Sequence, residues 1–372
     1  MKDATRGFVL FLSIFLSAYG LAHLYVWWRL IKPLNLKGAV LRVARVCFAV
    51  LFLVFPLTHF WLRYHHGFLW PAYWLGAIWT GVVVYLAVVG LGAEIMRAVL
   101  LRRLYVVAGE CVAVAIIAAA VTVYGMIEAR RIRVSELRIE LPGLGDRVRV
   151  AHVCDVHAGW IVRGAWLEQI VERINNLQPD LIVLTGDLVD AGALRLEELI
   201  SSLRRLRAPL GVFAVAGNHE FFVGIEKVEK LLQQADIVLL RNRSVVLNCG
   251  LQLVGLDDPI GYRLYGQPQP PPVEKLIRRG LPTVLLLHTP VTKPERLEAA
   301  GVHLQLSGHT HRGQLWPVNL IVKCVYKRPP YGLFSNGRVT IYVNGGVGTW
   351  GPPMRVGAPP EIALVTLEPK RR

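Results

Sequence analysis

The chain is short of cysteine and short of acid. Its 372 residues include five cysteines (Cys47, Cys111, Cys154, Cys249 and Cys324), scattered and without a Cys-x-x-Cys pair. An odd, dispersed set argues against a disulfide framework and against a zinc knuckle. Asp and Glu number 26 against 42 Lys and Arg, a net charge of +16. No stripe of basic residues interleaved with aromatics accompanies that excess, so no nucleic-acid partner is expected. Internal repeats and long low-complexity segments are lacking as well.

Apolar residues are plentiful. They make up 53% of the chain, and the mean hydropathy of +0.42 is too high for an ordinary soluble enzyme. Part of the chain therefore uses lipid as its solvent. Residues 1–131 carry 13 Lys and Arg against 4 Asp and Glu, so much of the basic excess flanks apolar segments. Four such segments precede Ala129: Gly7–Trp28, Val46–Leu62 with Pro56 and His59, Gly67–Ala93, and Tyr105–Met126 with Glu110. The first is longer than a signal-peptide core, no small-residue cleavage site follows it, and further apolar segments come next. A retained membrane region of about four helices is expected over residues 1–129, with a second domain over 130–372. Trp27, Trp28, Trp61 and Trp70 fall near segment ends, as an interfacial aromatic belt places them.

Glu110 and His59 are the strongly polar candidates inside the membrane. Glu110 reads as a side chain near Arg103 reaching for the interface, and no second acid accompanies it. That lack of paired charges disfavours a transporter. Four helices put the amino terminus and the second domain on one side. The connections after the first and third helices hold Arg29, Lys32, Lys37, Arg42, Arg45, Arg97, Arg102 and Arg103. The other side holds Lys2, Arg6, Arg63, Arg130, Arg131 and Arg133. This bias places the second domain outside the cytoplasm.

From Arg130 the texture changes to short apolar runs separated by Gly, Pro and charge. Arg133–Leu141 alternates as a strand, and Pro142-Gly143-Leu144-Gly145-Asp146 is a turn. Strand-like runs follow at Val148–Val153, Leu181–Thr185, Gly211–Ala216, Thr283–Leu287 and Val302–Ser307. Helical patterns, including Trp166–Leu177 and Leu196–Leu206, lie between the first three. The alternation indicates an α/β domain.

Each of those five runs ends in residues that bind metals. They are Asp155 and His157, Asp187 after Gly186, Asn218 and His219 after Gly217, His288, and His309 and His311 after Gly308. Ligands of open α/β sheets bind beyond the carboxyl ends of the strands, so the five motifs are expected at one edge. Carboxylates, an amide carbonyl and imidazoles together suit manganese, iron or zinc. Two cations roughly 3.5–4 Å apart can share a bridging carboxylate and clamp a phosphoryl centre.

In this order the motifs resemble those of the calcineurin-like metallophosphoesterases: D-x-H, G-D, G-N-H-[DE], H and G-H-x-H, over residues 148–348. Leu306-Ser307-Gly308-His309-Thr310-His311-x-Gly313-Gln314 is similar to the bacterial membrane-associated phosphodiesterase branch, which includes relatives of UDP-2,3-diacylglucosamine hydrolases. The resemblance implies a β-sandwich flanked by helices and hydrolysis by metal-bound hydroxide. It implies that Asp155, His157 and His311 hold one metal, and that Asn218, His288 and His309 hold a second, with Asp187 bridging. His219 is implied as the non-ligand acid near the leaving group. Gly186-Asp187-Leu188-Val189-Asp190-Ala191-Gly192 lacks the arginine of G-D-x-x-D-R-G, which argues against a phosphoprotein phosphatase. Cys154, His152 and His303 read as structural. Two transition-metal ions, manganese first, are the expected cofactors. The expected partners are the lipid bilayer and a phosphoester substrate, possible lipid linkage included. Alternatives are a general phosphodiesterase on soluble substrates and a metal-binding membrane sensor or scaffold.

Overall fold

A computed structural model describes residues 2–64, 69–100, 108–190, 196–291, 294–326, 330–336 and 339–370. Two compact units emerge: residues 2–128 with 351–356, and residues 129–350 with 357–370.

The first unit is helical. It contains α1 (Lys2–Val26), α2 (Gly38–Tyr64), α3 (Trp70–Leu100) and α4 (Ala108–Glu128). A π-helical turn at Trp27–Ile31 and a 3-10 turn at Lys32–Leu34 follow α1 and stop at Asn35, whose φ is 50°. Gly38–His59, Trp70–Val99 and Gly109–Glu128 are long and apolar enough to cross a membrane. Val46, Val50, Ile95, Ile116 and Val123 point outward from these helices. That is the pattern of lipid-facing surface, where backbone polarity is satisfied within the helix. The six residues 351–356 pack with these helices. Arg355 N–H donates to the Gly125 carbonyl at 2.9 Å, and the Met354 side chain lies over Gly81 and Gly125.

The expected lack of paired charge in this half is overturned. Helix α3 runs past Ala93 to include Glu94 and Arg97. Glu110 sits in the first turn of α4 and accepts from Arg97 at 2.7 Å and from Arg29. Arg29, 2% exposed, also pairs with Glu94 at 2.8 Å. Arg29 follows α1, Arg97 lies in the last turn of α3 and Glu110 in the first turn of α4, so three of the four charges sit at helix ends, with Glu94 further inside α3. Arg103, the partner expected for Glu110, is outside the described residues. His59 stacks with Tyr73 at a ring separation of 6.0 Å and lies 5.8 Å from Phe55, which itself stacks on Tyr73.

Among the described residues, the second unit holds two six-stranded sheets. Its strands are β1 (Arg133–Leu141), β2 (Val148–Val153), β3 (Leu181–Thr185), β4 (Val212–Val215), β5 (Val238–Leu239), β6 (Arg243–Val246), β7 (Gln252–Gly255), β8 (Thr283–Leu286), β9 (Leu304–Ser307), β10 (Gly332–Asn336), β11 (Val339–Val343) and β12 (Glu361–Pro369). Its helices are α5 (Ala165–Asn176), α6 (Leu196–Leu203), α7 (Asn218–Val223), α8 (Ile225–Gln234), α9 (Pro259–Leu264), α10 (Pro294–Ala300) and α11 (Val318–Val325). The first sheet runs β1-β12-β2-β3-β4-β5 and the second β10-β11-β9-β8-β7-β6. Strands β2, β3 and β4 are mutually parallel, and so are β7, β8 and β9.

Alternation along the strands builds the core between the sheets. Val148, Val150, Leu181, Val183, Phe213 and Val215 of the first sheet share a cluster with Leu253, Val284, Leu286, Leu304 and Leu306 of the second. The outer residues of the second sheet (Val254, Leu285, Ile341 and Val343) pack with Leu297 of α10. The fold is thus the expected sandwich flanked by helices.

Candidate metal centre

The parallel strands deliver their loops to one locus. Asp155 and His157 follow β2, Asp187 follows β3, and Asn218 and His219 follow β4. His288 follows β8, and His309 and His311 follow β9. Main-chain bonds tie the loops together: Asp155 N–H to the Gly186 carbonyl at 3.0 Å, His157 N–H to the Asp187 carbonyl at 2.9 Å, and Gly308 N–H to the His288 carbonyl at 3.0 Å. Asp155, His157, Asp187, His309 and His311 all hold φ between 49° and 73°. That left-handed region costs non-glycine residues on the order of 1–3 kcal/mol each and persists where surroundings over-determine it. Here it turns alternate side chains into one pocket. Gly217 is needed because a Cβ there would meet the Asp187 backbone nitrogen at 2.7 Å.

Donor atoms converge accordingly. His157 Nε2 lies 3.0 Å from His311 Nε2, and His311 Nε2 lies 3.3 Å from Asp155 Oδ1. His288 Nε2 is 3.1 Å from Asp187 Oδ2 and 3.2 Å from His309 Nδ1. Three groups could each hold an ion: Asp155 with His157 and His311, Asp187 with His288 and His309, and His157 with Asp187 and His219. Asn218 Oδ1 is buried without a hydrogen-bond partner. Buried polar atoms are seldom left so, and an ion would satisfy it. Donors about 3–4 Å apart suit cation–ligand bonds of about 2.0–2.2 Å. The residue set therefore fits transition-metal ions.

Protonation is set for the same task. Burial pushes His157 down to about 3 and His309 down to about 4, leaving neutral imidazoles with free lone pairs. His288 donates from Nδ1 to the Thr185 carbonyl at 2.7 Å, which directs Nε2 at the cluster. Burial raises the Asp155 carboxyl to about 6, with Asp187 adding to it and His288 opposing. Asp187 is held well below the usual carboxylate range. Burial alone would raise it, but His288 and His219 outweigh that.

His219 differs from the rest. Its Nδ1 lies 3.0 Å from Asp190 Oδ1, and its Nε2 is 4.0 Å from Asp187 Oδ2. Burial disfavours its imidazolium, yet Asp187, Asp190 and Glu220 overcome this and raise it to about 9. Asp190 closes the Gly186-Asp187-Leu188-Val189-Asp190 stretch, whose regular spacing was the available sign of its part. Glu220, last of Gly217-Asn218-His219-Glu220, is a second residue without an expected role. Its carboxylate accepts from the backbone N–H groups of Asp187, Leu188, Val189 and Gly217 at 2.7–3.2 Å. Asp258 accepts from Ile260, Gly261 and Thr289, next to His288, and nothing in the sequence signalled it. Cys154 is fully buried. His152 bonds the Thr185 hydroxyl at 2.7 Å, and His303 accepts from Thr283 N–H at 3.1 Å.

Known proteins resemble this chain in sequence. Residues 148–313 match the model of the calcineurin-like phosphoesterases. An uncharacterised metallophosphoesterase of Helicobacter pylori is 34% identical over 246 residues, which span 65% of each chain. One from Aquifex aeolicus is 34% identical over 255 residues, covering 66% of this chain and 96% of that one. A bovine relative, named a transmembrane protein with metallophosphoesterase domain, is 31% identical over 61% of this chain and 54% of its own. The chain belongs to the calcineurin-like phosphoesterase family.

Proposed function

We propose that the protein is a membrane-anchored phosphoesterase that uses two divalent transition metals to hydrolyse a phosphomonoester, phosphodiester or pyrophosphate bond. The observation that carries this reading is the convergence of seven oxygen and nitrogen donors beside a histidine whose other nitrogen is held by a carboxylate. Asp155, His157 and His311 lie together as one donor set, and Asp187, His288 and His309 as another; in this reading Asn218 joins the second set and Asp187 is shared between the two ions. Bound there, the cations supply Lewis-acid chemistry: neutralisation of phosphoryl charge and activation of water. Manganese is the metal we favour, and iron and zinc fit the same donors.

The chain's own residues do the rest. Asp190 orients the His219 ring through Nδ1, so Nε2 faces the donor cluster with a proton to give to a departing oxygen. Glu220 holds the Asp187 and Gly217 loops in register, which keeps both donor sets at fixed separation. Trp350 and Phe222, with ring centres 6.1 and 4.9 Å from that of His219, pack around its ring.

Anchoring makes an amphiphilic, lipid-linked phosphoester the favoured substrate, with catalysis outside the cytoplasm as the Lys and Arg bias indicates. The test uses full-length protein in detergent. It should bind about two metals per chain, and hydrolysis of an aryl phosphodiester should vanish with a strong chelator and return with manganese. Full activity in metal-stripped protein would sink the proposal. A reporter fused after Arg372 tests the sidedness, and cytoplasmic signal would reverse it.

A further inference from the structure

Helix α11 presents an inverted surface. Its outward positions are Val318, Leu320, Ile321, Lys323, Cys324 and Val325, with Leu320, Ile321 and Val325 exposed by 52, 62 and 67%. No residue of the helix is buried. The polar Asn319 is turned inward, where its Oδ1 is buried without a partner, and Val322 and Tyr326 share that inner side half-buried. An exposed helix in water places its polar residues outward and its apolar stripe against the core. This one leaves Leu320, Ile321 and Val325 outward and turns Asn319 inward. Trp316, 48% exposed, stands at the amino end of the patch, and Lys323 is its one charge. Aliphatic side chains with a tryptophan and a lysine make the composition of an interfacial helix lying at the headgroup level.

Two observations name the bilayer as what covers it. First, the described residues include three helices long and apolar enough to cross a membrane, so a lipid surface is at hand. Second, the segment 351–356 packs with those helices, and both of its flanks are tied to the residues leading into α11. Trp350 exchanges two hydrogen bonds with Gln314, at 2.9 and 3.0 Å, and a Cβ on Gly357 would touch Trp316 at 3.4 Å. Charge agrees: Lys323 suits anionic headgroups.

The helix is also fastened to the metal loop. Gly313, two residues after His311, has φ +80° and lies against the Asn319 backbone so closely that no side chain fits between them. Tyr326, just past the helix, sets its ring centre 6.0 Å from that of His309. We propose that α11 and Trp316 lie in the bilayer interface and hold the His309–His311 loop open to the membrane surface, where the phosphoester of an amphiphile is taken. The surface contact stands on its own, and the substrate part rests on the phosphoesterase reading above.

The experiment uses full-length protein in vesicles of phosphatidylethanolamine and phosphatidylglycerol. Cys47, Cys249 and Cys324 are replaced by serine, and a spin label is attached after Ile321→Cys or, as control, Lys230→Cys on α8. At 321 the label should be relaxed by oxygen more than by a water-soluble nickel chelate, with the order reversed at 230. Equal chelate accessibility at both positions would overturn the proposal. So would dipolar broadening between labels at 321, which would assign the patch to a second copy. In parallel, the Leu320→Ser, Ile321→Ser, Val325→Ser triple variant should keep its rate on a soluble aryl phosphodiester. It should lose about tenfold or more on a long-chain alkyl aryl phosphodiester embedded in vesicles, through lost positioning. Equal loss on both substrates would overturn the substrate part. If the unaltered protein hydrolyses neither, the phosphoesterase reading fails, and the label depth still decides the membrane contact.

Discussion

At the scale of single residues the proposed roles separate ligands from an acid. Asp187 takes part in two of the donor groups, so Asp187→Asn should lose bound metal and rate together. His219→Ala should keep its metal and lose about 10²–10⁴ in rate, the usual range for a general acid. Metal content by elemental analysis and rate on an aryl diester distinguish the two, and a His219→Ala variant depleted of metal would make His219 a ligand. Asp190→Asn should fall between, because the amide still bonds Nδ1 but no longer supports the imidazolium. His152 supports a prediction about stability. Burial holds it neutral down to about 3, whereas an unfolded histidine titrates near 6.5. Its contribution is whole above about pH 6.5 and is lost progressively as pH falls toward 3, about 2 kcal/mol between pH 7 and 5. His152→Gln should therefore show a shallower fall in melting temperature over that interval, and an unchanged slope would refute the assignment.

Elements are coupled by buried carboxylates. Glu220, in the first turn of α7, gathers four backbone N–H groups from the loops after β3 and β4. Glu220→Ala would strand them at a cost of about 1–3 kcal/mol per unsatisfied group before relaxation. The expected result is weaker metal binding with intact His219 and Asp190, read by a metal-competition titration. In the helical half Glu110 bridges Arg29 and Arg97, and its removal leaves Arg29 buried with Glu94 as its remaining partner. Glu110→Ala should destabilise the helices, by less than the roughly 3–5 kcal/mol of leaving a buried charge with no partner, since Glu94 remains. A fall in the detergent melting temperature would show it, and no fall would mean that Glu94 suffices.

For the whole molecule, the residues 351–356 decide how separable the two halves are. A chain beginning at Arg130 keeps every donor, since all lie beyond Val148, and should bind its metals. It should also expose Met354 and Arg355, which are fully buried beside the helices, and so require detergent or aggregate. Met354→Ser should improve its behaviour on size-exclusion chromatography, and a freely soluble, monodisperse fragment without that change would refute the point. Much of this organisation was legible in advance. Period and length marked four apolar stretches, and strands at Arg133–Leu141, Val148–Val153 and Leu181–Thr185 begin and end as the runs of β-branched residues indicated. The donors were legible because local loops after apolar runs carry them in short motifs. Strand β12 was not, although it sits between β1 and β2, because its partners are some 200 residues away and no local signal records pairing. The same holds for the Arg29–Glu110 pair and for Asp258 beside Thr289. The sequence by itself determined which atoms could bind metal and which segments prefer lipid, since those follow from side-chain chemistry and short-range periodicity. Only the tertiary structure decided that His219 has a carboxylate partner, that the charges of the helical half are paired, and that α11 turns much of its apolar surface outward. Each of those depends on what long-range packing brings against a residue, which no window of sequence contains.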